Sequence, residues 1–128
     1  MRTTAPVMKR ALLLFLCVLA TACNSRSSLS PDKALIGHWV REGDSAERYF
    51  TSSKSLYVAQ GALQTFPYQV VSVSNSSIRL KEKGPLIDWI ANFEFTSDRK
   101  EMVESRVHED GTSIGHWKWR YADDKLQP

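Results

Sequence analysis

Ile87-Asp-Trp-Ile-Ala-Asn-Phe-Glu-Phe-Thr96 decides the fold class of this chain. Ile87, Trp89, Ala91, Phe93 and Phe95 fall on one face of an extended segment, and Asp88, Asn92, Glu94 and Thr96 fall on the other. A period of two is that of a half-buried strand, because successive side chains of a strand point to opposite faces. The segments around it repeat the pattern. In Ser77–Lys83, Ile78 and Leu80 oppose Arg79, Lys81 and Lys83; in Ser113–Tyr121, Trp117, Trp119 and Tyr121 oppose His116, Lys118 and Arg120. Lys100–Val107 lies between them, and Leu35–Glu42, Ala46–Thr51, Ser55–Gln60 and Gln64–Val73 precede them.

Turn residues separate these runs: Glu42-Gly43-Asp44, Ser52-Ser53-Lys54, Gly61, Ser74-Asn75-Ser76, Gly84-Pro85, Ser97-Asp98 and Glu109-Asp110-Gly111. Nothing after residue 30 holds helical apolar spacing for long, although Ser30-Pro31-Asp32-Lys33 suits one short helical turn with Pro at its first position. The expectation is an all-β domain of eight antiparallel strands in an up-and-down meander. Tight connections favour antiparallel neighbours, and closing the sheet removes its exposed edges. A small β-sandwich is the alternative architecture.

Ile36-Gly37-His38-Trp39 returns as Ile114-Gly115-His116-Trp117. In a closed meander the first and last strands are neighbours, so the two segments would lie side by side; similar packing needs in two core strands explain the recurrence better than a paired aromatic site. Gly37-His38-Trp39 at the start of the first strand, after a short helical turn and before a strand meander, resembles the lipocalin/calycin class. That resemblance implies a small lipocalin-like barrel whose first-strand Trp closes the floor, and binding of a small or apolar ligand. The domain is shorter than a lipocalin and has no final helix, so small lipocalin-like domains on bacterial lipoproteins are the nearer comparison.

Charge and cysteine describe the N-terminus. The chain has 128 residues and a formal charge of +3. Arg2, Lys9 and Arg10 precede Ala22 with no acidic residue among them, and from Cys23 onward 14 basic residues balance 14 acidic ones. The excess charge therefore belongs to the leader, and nucleic acid is not an expected partner. A basic start, the apolar run Ala11–Ala22 and small residues before Cys23 describe an export signal, too short for a spanning helix of about 20 residues. Leu19-Ala20-Thr21-Ala22-Cys23 resembles the bacterial lipobox, with Ala20 standing where that family prefers Leu. The resemblance implies a signal peptide over residues 1–22 and diacylglycerol and palmitate on Cys23. Cleavage after Ala20-Thr21-Ala22 by ordinary signal peptidase is the competing outcome, and Met8 is an alternative start. Asn24 after the Cys, rather than the Asp that favours inner-membrane retention, points to the periplasmic side of the outer membrane, with the inner membrane or the soluble periplasm as alternatives. Residues 23–34 are expected to be the lipidated Cys and a flexible tether, 35–122 the β domain and 123–128 a polar tail.

Candidate chemistry is sparse. His38, His108 and His116 lack the local spacing of a metal site, and His38 and His116 are expected on one solvated outer face. Glu101, Glu104, Glu109 and Asp110, interleaved with Arg99, Lys100 and Arg106, are expected to form cross-strand ion pairs on a solvated strand. Arg79, Lys81 and Lys83 form a charged outer stripe. There is no Gly-x-Ser-x-Gly elbow, no phosphate-cradling glycine loop and no cofactor signature. Trp39, Trp89, Phe93, Trp117, Trp119 and Tyr121 are the candidate ligand-binding residues, although an eight-stranded barrel is just wide enough for side chains to fill it. Two functions follow: a non-catalytic small-ligand or lipid-binding module, or an interaction and assembly factor tethered in the envelope.

Overall fold

A computed structural model describes residues 26–128. The signal segment, the lipobox and Cys23 lie outside the described residues. A short helix α1 (Pro31–Leu35) precedes eight strands: β1 (Gly37–Arg41), β2 (Glu47–Phe50), β3 (Lys54–Ala59), β4 (Ala62–Val73), β5 (Ser77–Lys83), β6 (Asp88–Phe95), β7 (Glu101–His108) and β8 (Ser113–Asp123). Each strand pairs antiparallel with the next, and β8 pairs with β1, giving a closed up-and-down barrel. This is the eight-stranded meander that the alternation foretold, and it matches the small lipocalin-like barrel that the Gly37-His38-Trp39 resemblance implied. The sandwich alternative does not occur.

The alternating faces become inside and outside. In β6, Trp89, Ala91, Phe93 and Phe95 are buried. Ile78 and Leu80 meet them from β5, Met102 from β7 and Trp119 from β8. Odd and even turns lie at opposite ends. At one end, the floor, the turns after β2, β4 and β6 gather with α1 and both ends of the described chain; the mouth carries the other turns.

The floor is closed by Trp39. Its indole Nε1 donates to the Leu35 carbonyl at 2.9 Å, satisfying an acceptor that the end of α1 leaves free. Gly37, at φ +131°, lets β1 approach β8 closely: a Cβ there would sit 2.9 Å from the Asp123 carbonyl oxygen. The segment before α1, whose composition suggests a flexible linker, is held to the floor. Arg26 donates to the Arg99 and Ala34 carbonyls, and its guanidinium lies 3.5 Å from the Tyr121 ring centroid. Leu29 packs against the core beside it. At the other terminus β8 runs two residues beyond the expected Ser113–Tyr121, and Asp123 bonds His38.

The Gly-His-Trp recurrence resolves differently from the side-by-side expectation. β1 and β8 are neighbours, but Trp39 pairs with Tyr121 and Arg41 with Trp119. Antiparallel pairing inverts direction, so the first segment lies at the floor and the second at the mouth. Trp39 and Trp117 therefore do not meet.

β4 changes partners along its length. Residues 62–67 pair with β3 and residues 68–73 with β5, with a bulge at Val71. Each half is thus left with one side that no strand covers.

Candidate functional site

The inward face carries charge that the alternation places there. Arg48 lies in phase with Phe50, Glu82 with Ile78 and Leu80, and Glu104 with Met102, so all three point into the barrel. None is exposed. The Arg48 guanidinium ion-pairs with Glu82 Oε2 and lies 3.2 Å from Glu104 Oε1. It also donates to Ser55 Oγ at 2.8 Å, while Ser55 Oγ donates to Glu82 Oε2 at 3.2 Å. Trp119 Nε1 donates to Glu104 Oε1 at 3.0 Å, and Arg106 reaches Glu104 Oε2 at 2.8 Å. Burial opposes the charge on Arg48, but the two carboxylates overcome it and raise its pKa. Two arginines thus balance two glutamates, with aromatic rings as walls: Arg48 lies 4.6 Å from the Phe50 centroid.

Glu104 corrects the expectation of a solvated acidic strand. It is buried because β7 turns Met102, Glu104 and Arg106 inward, opposite Trp119 and Trp117. His38 is also not a solvated outer histidine. It is 8% exposed, stacks on Tyr49 at 4.2 Å, and bonds Glu47 and Asp123. Its hydrogen bond holds the Asp123 carboxyl below the usual range. His116 lies across from Ser105 instead, 3.1 Å from its hydroxyl. Among the described residues, no group of three or more His, Cys, Asp or Glu is placed to hold a metal ion.

Toward the mouth, the Arg106 guanidinium lies 4.7 Å from the ring centroids of both Trp89 and Trp117. Both rings rest on glycine. A Cβ at Gly84 would overlap the Trp89 ring, and one at Gly115 would lie 2.8 Å from Trp117. Arg41 completes this rim, held by Asp44 and facing Tyr57. Hydrogen bonding to Arg41 takes the Asp44 carboxyl down to about 2.

The six candidate aromatic residues do not form one pocket. Trp39, Phe93 and Trp119 are core, Tyr121 packs with Arg26 at the floor, and Trp89 and Trp117 sit near the mouth. Between residues 64–67 of β4 and residues 83–85, where β4 has parted from β5, lies a groove of about 410 Å³. Two of its lining residues, Phe66 and Gly84, pack against Trp89. Among the described residues, three buried side-chain polar atoms have no protein partner: Trp89 Nε1, Glu82 Oε1 and Arg48 Nε. Glu82 and Trp89 are direct cross-strand partners. From the sequence, Glu104 is expected on a solvated strand, and neither Arg48 nor Glu82 is singled out. Their phase with apolar neighbours was the signal that could have found them.

Comparison of the chain with protein-family models, curated proteins and solved structures gives no match.

Proposed function

We propose that this chain is an exported, lipid-anchored, non-catalytic binding module, and that its ligand is a small hydrogen-bonding molecule rather than an acyl chain. The observation that carries this reading is the pair of buried, partnerless atoms on adjoining inward residues, Trp89 Nε1 and Glu82 Oε1. One is a donor and the other an acceptor, and buried polar groups left without partners are costly. A molecule offering an acceptor to the indole and a donor to the carboxylate removes both costs. The ligand would enter from the groove lined by Phe66 and Gly84, the two residues that pack on the Trp89 ring. An acyl chain is disfavoured because Trp39, Phe93 and Trp119 occupy the interior. The buried glutamates accept hydrogen bonds from Arg48, Arg106, Ser55 and Trp119, which supports binding rather than proton transfer to a substrate. The lipid anchor rests on the lipobox-like sequence ending at Cys23.

Native mass spectrometry of the protein purified from its own host tests the ligand. The expected result is an added small-molecule mass on the wild type that is lost in Trp89→Phe, which keeps the ring and removes the donor. A clean apo mass for the wild type would overturn the ligand reading.

A further inference from the structure

The second half of β4, whose one side no strand covers, lies at the same end of the barrel as the start of the described chain. Residues 69–73 pair with β5 alone, and Val70, Val71 and Val73 are 49%, 54% and 48% exposed. The hairpin tip beyond them is tied to the N-terminal segment through one residue: Arg99 donates to the Asn75 and Leu29 carbonyls, and its own carbonyl accepts from Arg26. Arg26 is three residues after Cys23. Consecutive Cα atoms are 3.8 Å apart, so residue 26 lies within about 11 Å of residue 23 however the intervening chain runs.

We infer that the floor of the barrel rests on the bilayer that holds the anchor, with the Val70–Val73 edge of β4 seated among the lipid headgroups and the mouth facing away. This rests on lipidation of Cys23. Three exposed β-branched residues on an uncovered strand edge are a liability for a water-soluble protein, since they invite pairing with another chain. A membrane surface covers them. The depth is limited, because the free N–H and C=O groups of the edge cannot enter hydrocarbon without partners. The edge therefore lies at the interface, where headgroups and water satisfy the backbone while the valines displace water.

The full chain, acylated and reconstituted in phosphatidylethanolamine/phosphatidylglycerol vesicles containing a doxyl-labelled lipid, tests this. In the processed protein Cys23 carries lipid and Cys17 has been removed, so Val71→Cys supplies a single thiol for a fluorophore. Leu86→Cys, 93% exposed in the mouth turn between β5 and β6, is the control. Intact mass reports acylation in the same sample. The expected result is acylated protein whose label is quenched at position 71 and not at position 86. An acylated protein unquenched at 71, or equally quenched at both, would overturn the docking while leaving the anchor in place. Cross-linking of two chains through position 71 would assign the edge to a second copy and overturn it equally. A mass without acyl chains would overturn the anchor, and the docking with it.

Discussion

Replacing Arg48 by methionine leaves the Glu82 and Glu104 carboxylates buried without their main counter-charge. Breaking a buried ion pair from one side costs about 3–5 kcal/mol, because the remaining charge stays desolvated. Urea denaturation of Arg48→Met should show a loss of that order, and adding Glu82→Leu and Glu104→Met should recover much of it. If Arg48→Met alone costs nothing, water reaches the network. Two neighbours give sharper tests. Gly115→Ala drives a methyl group into the Trp117 ring and should cost about 1–3 kcal/mol, with a change in the near-ultraviolet tryptophan dichroism. Tyr68 donates to the Thr51 carbonyl, and burial, reinforced by the Glu82 charge, pushes its phenol up to about 12 from 10.0. The folded state thus keeps its proton where the unfolded chain releases it. Stability is full below pH 10 and falls as pH rises from 10.0 toward about 12. Tyr68→Phe should flatten that fall in urea titrations across the same range.

At the scale of elements, the strands were legible and their charged inward residues were not. Alternation in Ile87–Thr96 and Ser77–Lys83 marks two neighbouring strands closely, since their large apolar residues keep to one face. The same alternation, carried one step further along Ser77–Lys83, puts Glu82 beside Leu80 on the inner face. Register was not legible. The Gly-His-Trp recurrence marks two strands that do pair, yet antiparallel direction and a bulge between His38 and Trp39 place the copies at opposite ends. Nor does composition show that Arg26 stacks on Tyr121, because that contact depends on closure of the floor. Trp39→Phe keeps an aromatic side chain but removes the donor to Leu35 and leaves a cavity where the indole was fully buried, so it should cost about 2–3 kcal/mol and raise hydrogen exchange most in Pro31–Leu35. Uniform exchange throughout the barrel would show that the bond is not what holds α1.

For the whole molecule, the sheet closes around a core that is apolar at the floor and ionic toward the mouth. The candidate aromatic residues divide between these regions, with Trp39, Phe93 and Trp119 filling the interior. Export, lipid anchor and ligand each have a separate test, and the ligand is central. A nuclear magnetic resonance spectrum of the Trp89 indole N–H, assigned through Trp89→Phe, tests it most directly. In protein from its own host the resonance should shift when the protein is unfolded, dialysed and refolded, and should return when the small-molecule fraction is added back. An indole resonance identical before and after that treatment, and unmoved by the fraction, would contradict a ligand at this position.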